Sequence, residues 1–438
     1  MNLKKHTFMN YKKNKHDKDA KSGLRFLQSL LMILVFLTSS YACGDSETPI
    51  DRDFKYIESI EVVSPIATNV KLDNFAHFIE LDFEKGLDLS SVTIKVNLPA
   101  GVRMVAPTEQ TSEYDLTKDA SIKVSGNGSS QSYRIKVNLV NVPFNPSADK
   151  WGKEDSFGNL PEYISVYKYL QTIANKKVVA YIAVADMNNK TARFKVLGEK
   201  KGVATPKKFY DDNSKPAVVL NAGYFWAGSS LGLIIRDGKI ISSQEPTYRE
   251  YNGASTPYYP TQGTFGMNKD RTFSANYAYE SKNTLYAYPV LSQNKAGDKP
   301  QPLPTKDFPA DAKTWAPEEA IGAGPLLIKD GEYKNNWEAE LFDSFSGIGP
   351  TVNNPRSAVA YHSSGHVVFF VCEGRNKTPN TPGLTLKEVA DLFLDLGCTD
   401  AINLDGGGSS CMLINGEETI IPSDNATQRK VANAIALY

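Results

Sequence analysis

The sequence predicts an α+β protein, with a mixed-sheet C-terminal domain containing a βαβ unit and, before it, a small all-β, Ig-like sandwich. Three observations carry that reading. Residues 56–142 alternate apolar and polar side chains with period two, as half-buried strands do. From Trp151 onward, apolar runs at 178–184, 217–220, 233–235 and 366–372 are separated by long polar loops. One amphipathic helix follows Thr385, between the run ending at Cys372 and the run 401–404. If those two runs are parallel strands, strand, helix and strand form a right-handed crossover.

The chain has 438 residues, more than one typical domain, so two folded units and a targeting segment are expected. Lys and Arg total 49, as do Asp and Glu. Residues 1–42 hold eight of the basic and two of the acidic residues, which leaves 41 against 47, a net of −6. Nucleic-acid binding needs clustered cations on phosphate, so this composition argues against a nucleic-acid partner.

Residues 1–42 read as an export signal, with a Lys-rich start, the apolar run 30–37 and then small residues. The segment ends Ser40-Tyr41-Ala42-Cys43, which resembles a bacterial lipobox with Cys43 as the lipidated residue. Ser40 stands where Leu is commonest, and ordinary small-x-small cleavage would fit the same residues. Residues 43–53 would be the tether. The expected location is the cell envelope, with the membrane met only through the lipid.

In the β domain, placed at 54–143, Ile79, Leu81 and Phe83 face one way and Glu80 and Asp82 the other. Val92, Ile94 and Val96 repeat the pattern, as do Ile135, Val137 and Leu139. No cluster of titratable groups suggests chemistry there, so it reads as a spacer. Val142-Pro143-Phe144-Asn145-Pro146 reads as a hinge, and the second domain is placed at 150–438. Its three cysteines, Cys372, Cys398 and Cys411, allow at most one bridge and lack a C-x-x-C zinc pattern, and buried thiols are expected. His362 and His366 flank a Ser-Ser-Gly turn and read as exposed hairpin residues.

In the helix, Thr385 and Glu388 form a capping box, Leu386, Val389, Ala390, Phe393 and Leu394 make one apolar face, and Gly397 ends it. Parallel flanking strands would bring Glu373-Gly374-Arg375-Asn376 beside Asp405-Gly406-Gly407-Gly408-Ser409-Ser410. The glycine run allows φ > 0 and close ligand approach, and its amides could cradle an anion beside the Ser hydroxyls. A tight turn between two strands is the competing reading, because Met412-Leu413-Ile414 and Asn415-Gly416 look like a further strand and turn.

An ordered set of segments resembles the phosphodiester glycosidase family over about residues 150–438. It comprises Asn221-Ala222-Gly223-Tyr224-Phe225, Asn354-Pro355-Arg356, Glu373-Gly374-Arg375, the Thr385 helix, Asn403-Leu404-Asp405-Gly406-Gly407-Gly408-Ser409-Ser410, and a tail that includes Arg429. Glu373 stands where that family often has Asp. The resemblance implies a hydrolase cleaving sugar-1-phosphodiesters in extracellular or surface glycans. Asp405 and Glu373 would be catalytic. Arg356, Arg375 and Arg429 would hold phosphate, as guanidinium forks do. Asn221, Tyr224, Gly406, Gly407, Gly408, Ser409 and Ser410 would complete the substrate site.

Other readings stand beside these roles, with Arg356 paired to a surface carboxylate, Glu373 paired to Arg375, Asn221 a loop-bracing amide and Tyr224 packed in the core. No cofactor is required by the sequence; Asp405, Glu373 and carbonyls could hold Ca²⁺, but no ligand spacing argues for it. The alternatives are a glycosidase or transferase acting without phosphate, and a non-catalytic surface glycan-binding protein.

Overall fold

A computed structural model describes residues 54–84, 87–140 and 143–438. The export signal, Cys43 and the tether lie outside these residues, as does Val142 of the hinge. The described chain is mostly β with two α-helices, α1 (Pro206–Asp212) and α2 (Leu386–Asp395).

Between Ser59 and Val140 the strands form a three-stranded and a five-stranded sheet. Alternation in the sequence becomes alternation in burial at Ile79, Leu81, Phe83, Val92, Ile94 and Val96, all fully buried. It fails toward the end of Ser129–Val140, where Ile135 is buried, Val137 half-buried and Leu139 58% exposed. One pair, Phe78–Glu84 with Ser129–Val140, is parallel. This module touches the rest of the chain directly. Ser363 donates to Glu84 at 2.8 Å, and the Phe144 ring stacks on His366 at 5.3 Å and meets His362 edge-on at 5.4 Å. His362 is therefore buried, at 1% exposure, and not the exposed hairpin residue expected from its turn. The hinge aromatic covers it.

Eight strands position the site: β1 (Ala180–Asp186), β2 (Val218–Asn221), β3 (Leu326–Lys329), β4 (Arg356–His362), β5 (His366–Cys372), β6 (Cys398–Asn403), β7 (Met412–Ile414) and β8 (Asn433–Leu437). An eight-stranded sheet runs through β3, β6, β4, β5 and β1. A five-stranded sheet contains β8, β2 and β7, and a seven-stranded sheet completes the domain.

The large sheet is covered on both faces, which explains its near-continuous apolar strands. Along β5, Val367, Phe369 and Val371 join a core shared with the other sheets, while Val368, Phe370 and Cys372 pack with the apolar face of α2. Phe370 and Phe393 meet at 5.8 Å. Burying a side chain such as Phe393 contributes roughly 1.5–3 kcal/mol. The α2 capping box forms as the sequence predicts, with Glu388 N donating to Thr385 Oγ1 and Thr385 N to Glu388. Cys372, Cys398 and Cys411 are buried free thiols.

The strands flanking α2 are not adjacent. β4 lies between β5 and β6 and pairs antiparallel with both, so β5 and β6 run in the same direction. Arg356 is opposite Cys372, and Ala358 is opposite Asn403. The start of β4 and the ends of β5 and β6 therefore share one edge of the sheet.

Candidate functional site

That edge holds a cleft of about 680 Å³, lined by Asp405, Gly406, Gly407, Gly408, Tyr224, Arg356, Arg375 and Arg429, among others. The Asp405 loop is pinned from below. Asp405 N donates to Ala222 O at 2.7 Å, and Leu404 N to Ser357 O at 2.9 Å. Asn221, at the end of β2 and fully buried, donates through Nδ2 to the Asp405 carbonyl and accepts from Ser357 Oγ and Cys411 N. Asn221 thus braces the loop from beneath and does not line the cleft.

The glycines make room for arginines. Gly407 has φ +59°, and a Cβ on it would lie 2.8 Å from Arg375 Nη2. A Cβ on Gly408 would lie 2.1 Å from Arg429 Nη2. Two guanidiniums therefore rest on the loop itself. The expected amide cradle is largely spent inside the protein, since Gly407 N donates to Pro355 O, Ser409 N to Gly406 O and Ser410 N to Gly407 O. Ser409 and Ser410 are buried, and Ser410 Oγ has no hydrogen-bond partner.

Asp405 is partly open to the cleft yet closely surrounded by protein. Burial pushes its carboxyl up to about 6, against the opposing pull of a hydrogen bond with Ser409 and the charge of Arg429. Such a group is mostly ionised at neutral pH but close enough to it to exchange protons.

The three arginines differ. Arg429 Nε pairs with Asp424 at 3.0 Å, and Nη1 lies 3.5 Å from Ser409 Oγ. Arg375 has φ +55° and its Nη1 lies 3.5 Å from Ser423 Oγ; among the described residues no carboxylate pairs with it. Arg356 is 1% exposed and caged by carbonyls. Nε donates to Leu384 O, Nη1 to Ile348 O, and Nη2 to Gly349 O and Val352 O, at 2.6–2.9 Å. With four of its five donors committed, it clamps the loops that form the cleft wall and cannot offer a phosphate its fork. It does not pair with a surface carboxylate either.

Glu373 is corrected too. It is 4% exposed, does not line the cleft, and accepts from Ile421 N at 3.0 Å and Thr378 N at 3.2 Å. It pairs with backbone, not with Arg375, and ties two loops together. Tyr224 lends its ring to the cleft wall and packs against Phe342, while its hydroxyl is anchored on Gly324 O at 2.7 Å and accepts from Asn403 at 2.9 Å.

Sequence reasoning missed part of the wall. Tyr248 and Arg249 come from the hairpin Thr247–Tyr251 and Ala254–Tyr258, and its Asn252-Gly253 turn is a legible hairpin signal. Glu340 lies behind the wall, fully buried, accepting from Gly263 N and Leu326 N, and burial pushes its carboxyl up to about 8. Nothing in its sequence neighbourhood marks it. Among the described residues no group of three or more His, Cys, Asp or Glu gathers as a metal-holding set, and no helix is long and apolar enough to cross a membrane.

The sequence model of the phosphodiester glycosidase family matches residues 208–438. The N-acetylglucosamine-1-phosphodiester alpha-N-acetylglucosaminidase of Mus musculus is 26% identical over 220 residues, covering 49% of this chain and 35% of that protein. The protein of the same name from Bos taurus is 24% identical over 286 residues, covering 63% and 47%. The chain thus spans less than half the length of these curated relatives. A solved zebrafish catalytic domain of that name, auto-inhibited by its pro-peptide, aligns with TM-score 0.44 and 19% identity over 66% of this chain and 88% of that one.

Proposed function

Because the chain belongs to the phosphodiester glycosidase family, we propose that it hydrolyses a sugar-1-phosphodiester in extracellular or surface glycans, with Asp405 as general base. One observation carries the reading, a carboxyl pushed up to about 6 on a loop that also carries two guanidiniums. Arg375, with no carboxylate partner among the described residues, and Arg429 line the cleft beside Asp405, which suits an anionic ligand.

In the proposed reaction Asp405 takes a proton from water as its oxygen bonds to the anomeric carbon. The bond from that carbon to the phosphate oxygen breaks, and a phosphomonoester leaves. Arg375 and Arg429 offset its charge. Tyr224 flanks the sugar, and Arg356, Asn221 and Glu373 hold the loops in place. This revises the sequence expectation for Arg356 and Glu373, and gives Asn221 the loop-bracing role, one of the two expected of it.

The N-terminal β module is read as an Ig-like spacer and Cys43 as the lipid-bearing residue of an exported, envelope-anchored protein. The supports are the period-two pattern and the segment ending Ser40-Tyr41-Ala42-Cys43. Purified protein offered an activated aryl phosphodiester of a sugar should release the aryl phosphate. Binding of the compound without turnover would favour a glycan-binding protein, and turnover only of aryl glycosides lacking phosphate would favour a plain glycosidase.

A further inference from the structure

The cleft does not end at Arg249. A second cavity of about 620 Å³ is lined by Tyr248, Arg249, Glu250, Tyr251, Phe345 and others, and shares Tyr248 and Arg249 with the first. Two of its walls are exposed aromatics, Phe345 at 80% and Tyr248 at 58%. Exposed aromatics held in place supply a stacking face at little entropic cost.

Phe345 is held. Asp343 caps its turn by accepting from Phe345 N at 3.0 Å, and the same carboxylate takes Arg249 in a fork, Nε at 2.8 Å and Nη2 at 2.9 Å. Arg249 also donates to Leu341 O and Tyr248 O and lies 6.0 Å from the Phe345 ring centroid. One ion pair thus ties the Tyr248 hairpin to the Phe345 turn. It also neutralises the only arginine or lysine of this cavity. With Glu250 the remaining charge on its lining, the cavity would repel phosphate.

We propose that this second cavity is a subsite for a neutral sugar ring, continuing the chain whose phosphodiester lies in the first cleft, with Phe345 and Tyr248 as its stacking faces. The inference rests on the phosphodiester reading of the first cleft and deepens it, because it assigns a place and two stacking faces to a neutral sugar ring beyond the phosphodiester.

The test compares two sugar-1-phosphodiesters, one with a methyl aglycone and one with a neutral trisaccharide aglycone. Wild type should prefer the trisaccharide compound in kcat/KM by about tenfold, the scale of one good aromatic contact. Phe345→Ala should erase that preference and Phe345→Trp should restore it. A preference absent in wild type, or unchanged in Phe345→Ala, overturns the subsite. If wild type cleaves neither compound, the hydrolase reading fails separately. Calorimetric titration of both compounds into wild type and Phe345→Ala then decides the subsite by the same ratio of affinities.

Discussion

The guanidinium of Arg429 lies directly over Gly408, so close that a single added methyl would meet Nη2 at 2.1 Å. Arg429 is exposed and its ion pair with Asp424 lies at the surface, while its 3.5 Å contact with the buried Ser409 is long, so the end of the side chain can give way. The glycine therefore serves the position of the charge more than it serves the fold.

Gly408→Ala should accordingly fold and melt close to wild type while losing turnover by about tenfold or more, since a charge-assisted contact to phosphate contributes roughly 1.5–3 kcal/mol. A melting temperature lowered by many degrees would mean that the loop, not Arg429, needs the glycine.

Asp405 should reveal itself in stability as well as rate. Its folded carboxyl sits at about 6, above the usual 3.9, so the ionised form is disfavoured by folding. The protein is then more stable below about pH 4 with respect to this group and loses that stability as pH rises to about 6. Asp405→Asn removes the penalty. It should raise the melting temperature at pH 7.5, by an amount worth about 3 kcal/mol, and give little gain at pH 4. An Asn variant less stable than wild type at pH 7.5 would contradict the burial argument.

Arg356→Lys should act through folding. One ammonium cannot reach the four carbonyls that the guanidinium holds, and breaking a buried charged network costs about 3–5 kcal/mol. Urea denaturation should show that loss. A Lys variant of normal stability with reduced turnover would return Arg356 to the phosphate.

Glu373→Gln separates bracing from chemistry. Gln keeps one acceptor for Ile421 N and Thr378 N but turns an amide against the other donor, at about 1–3 kcal/mol. Turnover should stay within about threefold of wild type. A loss of ~10²-fold or more in a folded protein would restore Glu373 as a catalytic group.

What the sequence disclosed was local. The α2 capping box, its apolar face and the period-two strands each depend on residues a few positions apart, and each formed, save that the alternation of the last β-module strand runs out before the exposed Leu139. The glycine run announced a close approach, but not that Arg375 and Arg429 make it, because those side chains arrive on separate loops. The insertion of β4 between β5 and β6 is a long-range pairing that no periodicity encodes. Arg356 and Glu373 had the right residue types at the right edge, yet burial commits one to carbonyls and the other to amides. His362 looked exposed in its hairpin because the covering ring, Phe144, comes from the hinge. The Asn252-Gly253 turn was readable, but its importance depends on Asp343 reaching across to Arg249.

The central claim is that Asp405 is the base of a phosphodiester glycosidase, and the pH dependence of kcat/KM on an activated aryl phosphodiester of a sugar tests it most directly. Wild type should gain activity as pH rises through about 6, and Asp405→Asn should lose that inflection together with ~10²–10⁴-fold of turnover. A folded Asp405→Asn protein with near-normal turnover and the same inflection would contradict the account.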